Sequence, residues 1–129
     1  MGIIARMDAK LHFGETSAFG NAGVYASANV IKFDKAQPGR MRVDIKQTVA
    51  AASGTSVVFS IQGNDDNGST WYDVAVTKSI LTASLTAGAR FSLQVPPDWN
   101  YKYMRVVATG TGNFTAGKFD AWLDTYQGA

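Results

Sequence analysis

The chain has 129 residues, of which 46% are hydrophobic and 17% charged, the ordinary composition of one folded domain. Its 12 basic and 10 acidic residues are scattered and leave a net charge of only +2, which does not favour nucleic-acid binding. There is no cysteine, which excludes disulfides, thiolate metal sites and cysteine nucleophiles. No apolar run approaches the ~20 residues of a membrane-spanning helix, and the first residues lack a signal-peptide pattern. These features predict a soluble, unprocessed protein that binds neither nucleic acid nor membrane.

The N-terminal part of the sequence is the least regular. Ile4, Met7 and Leu11 could share a helix face, but no clear helix cap accompanies them, and an extended segment fits equally well. The stretch that follows is rich in Gly, Ala and Ser and alternates poorly. We therefore predict an N-terminal arm over residues 1–28 that orders against a partner, and a β-sandwich domain over residues 29–129.

From Arg40 onward, apolar and polar residues alternate with a period of two, which is typical of strands with one buried face. Val58 interrupts the polar face of its strand, which indicates that this strand is covered on both sides. The predicted strands span residues 29–34, 40–46, 56–62, 71–77, 78–82, 89–95, 101–109 and 118–124. Turn residues separate them. About eight short strands predict an all-β fold, a jelly roll or a related antiparallel β-sandwich.

The residues with catalytic potential do not form a recognisable set. His12 is the single histidine, and nothing places it beside a particular serine or aspartate, as a Ser-His-Asp triad requires. The acidic residues fall on predicted outward faces or turns, where no carboxyl group is set apart as a general acid. We predict that the protein is not an enzyme and that His12 is a partly exposed structural residue.

An acidic loop, Asp65-Asp66-Asn67-Gly68, weakly resembles a calcium-binding loop. The alternate positions do not carry the required ligands, and no glutamate stands where a bidentate ligand is needed. These residue types are typical of a tight turn between two strands. We therefore predict a turn here, with no metal and no cofactor.

Aromatic residues are numerous for a chain of this size, and core packing is their most common role in a strand-rich protein. Trp122 differs, because alternation places it on the face opposite Phe119, Ala121 and Leu123. An outward tryptophan is a candidate interface anchor.

Two C-terminal segments, residues 95–106 and 109–117, carry a family resemblance. A Pro96-Pro97 turn precedes a Tyr-x-Arg-hydrophobic strand that begins at Tyr103, and a Gly-x-Phe-Thr-Ala-Gly turn ending at Gly117 precedes the last strand. This order resembles that of small phage cement proteins of the Bordetella-phage type. The resemblance continues more loosely upstream and spans, with gaps, residues 29–124.

The resemblance implies a structural virion protein that decorates and stabilises the mature capsid of a tailed phage. It implies the major capsid protein as partner, a homo-oligomer (a dimer or trimer at a symmetry axis), and a place on the capsid exterior after assembly in the host cytoplasm. We expect the capsid or oligomer contact to include Ile3, Ile4, Met7, Phe13 and Trp122. The alternative is a carbohydrate-binding or receptor-binding β-sandwich, in which Trp71, Trp99 and Trp122 would line one exposed strip. A small hydrolase is disfavoured.

Overall fold

The computed structural model describes residues 12–16, 18–21, 23–32, 41–66, 68–96 and 100–125. Within them lie nine strands and one 3₁₀ turn at Thr82–Ser84. The strands are β1 (Gly23–Ala26), β2 (Ile31–Lys32), β3 (Met41–Ala52), β4 (Ser56–Asn64), β5 (Tyr72–Val76), β6 (Ile80–Leu81), β7 (Arg90–Gln94), β8 (Tyr103–Thr111) and β9 (Ala116–Thr125). No helix in these ranges is long and apolar enough to cross a membrane.

The strands form two antiparallel sheets. A six-stranded sheet has the order β1-β8-β4-β5, with β2 also paired to β8 and β6 to β4. A three-stranded sheet has the order β7-β3-β9. The predicted all-β antiparallel sandwich is therefore confirmed. The additional strand is β1, whose Gly-Val-Tyr-Ala sequence has too little alternation to be recognised from sequence.

The core lies between the two sheets and is dominated by aromatic and branched side chains. Phe59 of the six-stranded sheet contacts Phe91 and Phe119 of the other sheet, each with ring centroids 5.3 Å apart. The predicted alternation of β3 is confirmed, since Val43 and Ile45 are buried while their neighbours face outward. β4 is a central strand with pairs on each edge, and Val57, Phe59 and Ile61 on its inward face are buried. Val58 on its outward face is partly exposed, so the prediction that both faces of this strand are covered stays a prediction.

The described part of the predicted arm differs from the expectation. The backbone N–H groups of Phe13, Thr16 and Phe19 donate to carbonyl oxygens along β9 at 2.8 to 2.9 Å, and β1 pairs with β8. Phe13 is 0% exposed and belongs to the core, so in this fold it is not an external contact residue, and that prediction is corrected. The physical reason is that the N-terminal segment satisfies backbone groups at the edge of β9, and that burial of the apolar Phe13 ring in the core is favourable. Ile3, Ile4 and Met7 lie outside the described residues.

An aromatic cluster of Phe19, Tyr25 and Phe114 holds this N-terminal segment on the sandwich. The Phe19 ring centroid is 4.7 Å from that of Tyr25 and 5.6 Å from that of Phe114. A Cβ atom at Gly54 would lie 2.2 Å from Phe114, and one at Gly117, where φ is +139°, would lie 2.5 Å from Phe19. Gly54, between β3 and β4, and Gly117, which ends the Gly-x-Phe-Thr-Ala-Gly motif, therefore make room for the aromatic cluster.

Candidate interaction surfaces

The outer face of the six-stranded sheet carries a large area without charge. Residues directly opposite each other on paired strands point to the same face, so the strand register defines this surface. We call it the uncharged face, and it comprises Val24, Ala26, Ser56, Val58, Ser60, Val76, Leu81, Val107, Thr109 and Thr111. Depletion of charge in such a patch is the compositional mark of a protein interface centre.

The uncharged face combines exposed apolar side chains with a closed centre. Leu81, Val24 and Val76 are 62%, 56% and 54% exposed. Val107 points outward on the same sheet and is nevertheless fully buried, although it is not part of the core cluster. Ser56 and Ser60 on the same face are also buried. The exposed apolar side chains therefore lie around a centre that is closed to solvent.

A polar network bounds the uncharged face on one side. The Arg105 guanidinium lies 4.4 Å from the ring centroid of Trp71, and its Nε donates to Oε1 of Gln62 at 2.9 Å. The Gln62 amide in turn donates to Oδ1 of Asp73 at 2.8 Å. Burial under these groups lowers the pKa of Arg105 from its ordinary value. The network holds the nearest charges in fixed positions beside the apolar surface.

The outer face of the three-stranded sheet has the opposite character. Cross-strand pairs there bring together Lys46 with Asp120 and Lys46 with Arg90, and Arg42 forms an ion pair with Asp44 at 3.2 Å. Charges of both signs alternate over this charged face, as on an ordinary solvated sheet surface.

Trp122 lies on this charged face, pointing away from the core as predicted, and it stacks on His12. The two rings are 5.2 Å apart with planes at 7°, and Nε2 of His12 lies 2.6 Å from Oδ1 of Asp120. His12 also forms a backbone bridge to Trp122. The two side chains of β9 therefore hold the start of the described chain against the edge of the sheet. A role of Trp122 in capsid or oligomer contact stays a prediction.

A pocket of about 220 Å³ opens where β4 ends and β5 begins. Asn64, Asp65, Asp66, Thr70, Tyr72 and Tyr101 line it. The Tyr72 and Tyr101 rings are 6.0 Å apart and nearly parallel, at 12°. The predicted turn is confirmed here, since Oδ1 of Asp66 accepts the N–H of Gly68 at 2.9 Å. Across the described ranges, no group of three or more His, Asp or Glu side chains is placed to hold a metal ion.

The tryptophans do not form the strip that the carbohydrate-binding alternative required. Trp71 precedes β5 of the six-stranded sheet and packs on Arg105, whereas Trp122 belongs to the three-stranded sheet. Trp99 lies outside the described residues. Neither the uncharged face nor the tyrosine pair was predicted from the sequence. Val58, an apolar residue on the otherwise polar side of its strand, was the available sequence signal for the uncharged face. No sequence signal indicated that Tyr72 and Tyr101 lie side by side.

Comparisons with known proteins identify a family and one weak structural likeness. None of the curated proteins matches the chain. One solved structure, described as a family two carbohydrate esterase from Cellvibrio japonicus, aligns with 88% of this chain and 30% of its own, at 13% identity and a TM-score of 0.30. The chain thus spans less than a third of that structure, and a likeness this weak carries no argument about activity. The Bbp16 family model matches residues 16–123, so the chain belongs to the Bbp16 family, a phage-related protein family.

Proposed function

We propose that this protein is a structural component of a phage particle that decorates the exterior of the mature capsid and stabilises it. It acts by binding, through contacts with neighbouring major capsid subunits, and not by catalysis. Membership of a phage-related family supports the assignment to a phage particle. The uncharged face is the observation that carries the proposal, because exposed apolar side chains on a charge-free sheet surface suit contact with another protein.

The size of the uncharged face indicates how strongly one copy binds. Strands about 4.8 Å apart and rows of outward residues about 6.6 Å apart make the face roughly 400 Å². A standard stable interface buries about 800 Å² on each partner. One copy therefore binds modestly through this face, and firm decoration needs further contacts or several linked copies.

Two physical effects compensate for modest binding at each site. A protein that binds the assembled shell and not its separated subunits stabilises the shell by mass action at every occupied site. A dimer or trimer seated on a symmetry axis engages several capsid subunits at once, and linked binding events raise the overall affinity by about 10²- to 10⁴-fold. We propose such a homo-oligomer as the decorating unit.

The proposal is tested by placing a charge in the uncharged face. In the variant Val76→Asp/Leu81→Asp, both substituted side chains are more than half exposed, so the fold tolerates the carboxylates in the free protein. Burying them against a capsid costs about 1–3 kcal/mol each when no partner is provided. We expect occupancy on purified empty mature capsids, measured by co-sedimentation, to fall at least tenfold.

A matched control separates the face from the substitution. Ser92→Asp/Gln94→Asp places the same two carboxylates at exposed positions of β7, outside the uncharged face. We expect this variant to bind capsids as the unchanged protein does, with thermal melts showing that all variants are folded. Equal occupancy of the Val76→Asp/Leu81→Asp variant and the control would refute the proposed role of the uncharged face.

The N-terminal residues and Trp122 have a separate test. Deleting residues 1–11 removes Ile3, Ile4 and Met7 and leaves Phe13 in the core, and Trp122→Ala removes the stacked indole. If these residues contribute to the contact, each change lowers capsid occupancy while the melting curve stays cooperative. Unchanged occupancy would restrict the contact to the uncharged face.

A further inference from the structure

The tyrosine pair at the end of the six-stranded sheet has one member, Tyr72, that belongs neither to the core cluster nor to the uncharged face. Tyr101 packs against the core cluster, which fixes one side of the pair. Tyr72 is 53% exposed, and its ring is nearly parallel to that of Tyr101. Tyr101 is therefore anchored on the core, and the exposed Tyr72 ring stacked on it gives the pocket wall an apolar aromatic face, which we call the tyrosine platform.

The polar rim of this pocket is held in place by backbone hydrogen bonds. Oδ1 of Asp65 accepts the N–H of Lys102 at 3.1 Å, which joins the loop to the start of β8. Oδ1 of Asp66 accepts the N–H of Gly68 at 2.9 Å. Asn64 is buried and its amide donates to the carbonyl of Thr70 at 3.1 Å. Since a carboxylate has two oxygens and about four acceptor sites, both aspartates can accept further hydrogen bonds from a ligand.

We propose that this pocket binds a neutral sugar residue. The apolar face of a pyranose ring stacks on the tyrosine platform, while its hydroxyl groups donate to the carboxylates of Asp65 and Asp66. A flat aromatic surface with a few oriented polar groups beside it is the arrangement that suits a ligand with one apolar face and a polar edge.

The same geometry disfavours two other ligand classes. The two aspartates attract a choline-like cation, but such a ligand is held best when aromatic faces surround it, and here the two rings lie within 12° of parallel and form no cage. An acidic sugar would bring a negative charge beside the two aspartates, and like charges at close range cost binding energy. The pocket should therefore prefer neutral sugars to both choline-like cations and sialic acid.

The inference goes beyond the proposed decoration role and is compatible with it. Asn64 lies four residues along β4 from Ser60 of the uncharged face, which is roughly 13 Å at strand spacing. A capsid surface can cover the uncharged face while the pocket stays open to solvent. One sugar residue in so small a pocket binds at about millimolar strength, and many copies on one particle would raise the avidity.

The test is a titration of the full chain followed by NMR, with methyl glycosides of glucose, galactose, mannose and N-acetylglucosamine as probes. Sialic acid and choline chloride serve as the anionic and cationic comparators. We expect saturable shifts at Tyr72 and Tyr101 with at least one neutral glycoside, and at least tenfold weaker binding of both comparators.

Variants assign the binding to the pocket. Tyr72→Ala removes the exposed half of the platform and should weaken the best glycoside about tenfold. Val76→Ala is the matched control, because it lies on the same strand with nearly the same exposure and should bind normally. Absence of saturable binding to every neutral glycoside at 100 mM, tighter binding of choline, or unchanged binding by Tyr72→Ala would each overturn the inference. Capsid co-sedimentation of Tyr72→Ala reports on decoration independently and is expected to be unaffected.

Discussion

A methyl group added at Gly54 would test how tightly the aromatic cluster holds the N-terminal segment on the sandwich. The new Cβ would lie 2.2 Å from Cε1, 2.3 Å from Cζ and 2.4 Å from Cδ1 of Phe114, whereas ordinary contacts begin near 3.4 Å. The Phe114 ring would therefore have to move by more than 1 Å. The backbone of Gly54 is not left-handed, so the expected effect is purely steric.

The ring has little room for such a movement. Phe114 is buried, and Phe19 and Tyr25 meet it edge to face at centroid distances of 5.6 and 6.4 Å. Overpacking of a closed core costs about 1–3 kcal/mol, and this site belongs at the upper end because three ring atoms clash at once. A loss of about 3 kcal/mol lowers the melting temperature of a domain of this size by roughly 10 °C.

Thermal and urea denaturation would measure the loss. Gly20→Ala is the control, because nothing lies within 4 Å of its added Cβ, and we expect its stability to change by less than about 0.5 kcal/mol. On a Phe114→Ala background the Gly54→Ala penalty should shrink by at least about 1 kcal/mol, since the clashing ring is gone. Gly54→Ala that melts within about 2 °C of the unchanged protein would refute the reasoning.

Three further substitutions test other contacts. Phe13→Ala should lower the free energy of unfolding, measured in urea, by about 3–5 kcal/mol, because the ring is fully buried. A loss below about 1 kcal/mol would contradict the core position of Phe13. Gln47→Met should change the free energy of unfolding by less than about 1.5 kcal/mol, because it removes a buried Oε1 that accepts no hydrogen bond from any described group, but also the bond that Nε2 donates to the Val49 carbonyl at 2.8 Å; a larger loss would contradict this. Arg105→Lys should lose about 0.5–1 kcal/mol, since an ammonium replaces the guanidinium stacked on Trp71, and unchanged stability would show that the stack contributes nothing.

Local sequence patterns were sufficient for the strands with one buried face. The alternation at Val43 and Ile45 and the outward position of Trp122 were both correct. The turn after β4 was correct as well. These features depend on residues close in sequence, because side-chain direction along a strand has a period of two and turn residues act on their own backbone.

The N-terminal segment shows why composition alone was misleading. Its Gly-rich and Ala-rich stretch lacks alternation, yet Phe13 and Phe19 enter the core and Tyr25 lies on a paired strand. Backbone hydrogen bonds to β8 and β9 hold this stretch on the sandwich, and a search for side-chain periodicity does not detect such pairing. The aromatic residues in that stretch were the only sign that it belongs to the sandwich.

The amino-acid sequence by itself determined the fold class, the positions of most strands and the side of each strand that faces the core. Only the tertiary structure decided which strands became neighbours, and therefore which outward residues share a surface. Val24, Val58, Val76 and Val107 are far apart in the chain, and they form one uncharged face because β1, β8, β4 and β5 pair in that order. The same holds for the stack of Tyr72 on Tyr101. The side that each residue faces is a local property of its strand. Register and strand order arise instead from long-range pairing between strands. The candidate sites of this protein depend on that long-range pairing, which is why the sequence did not predict them.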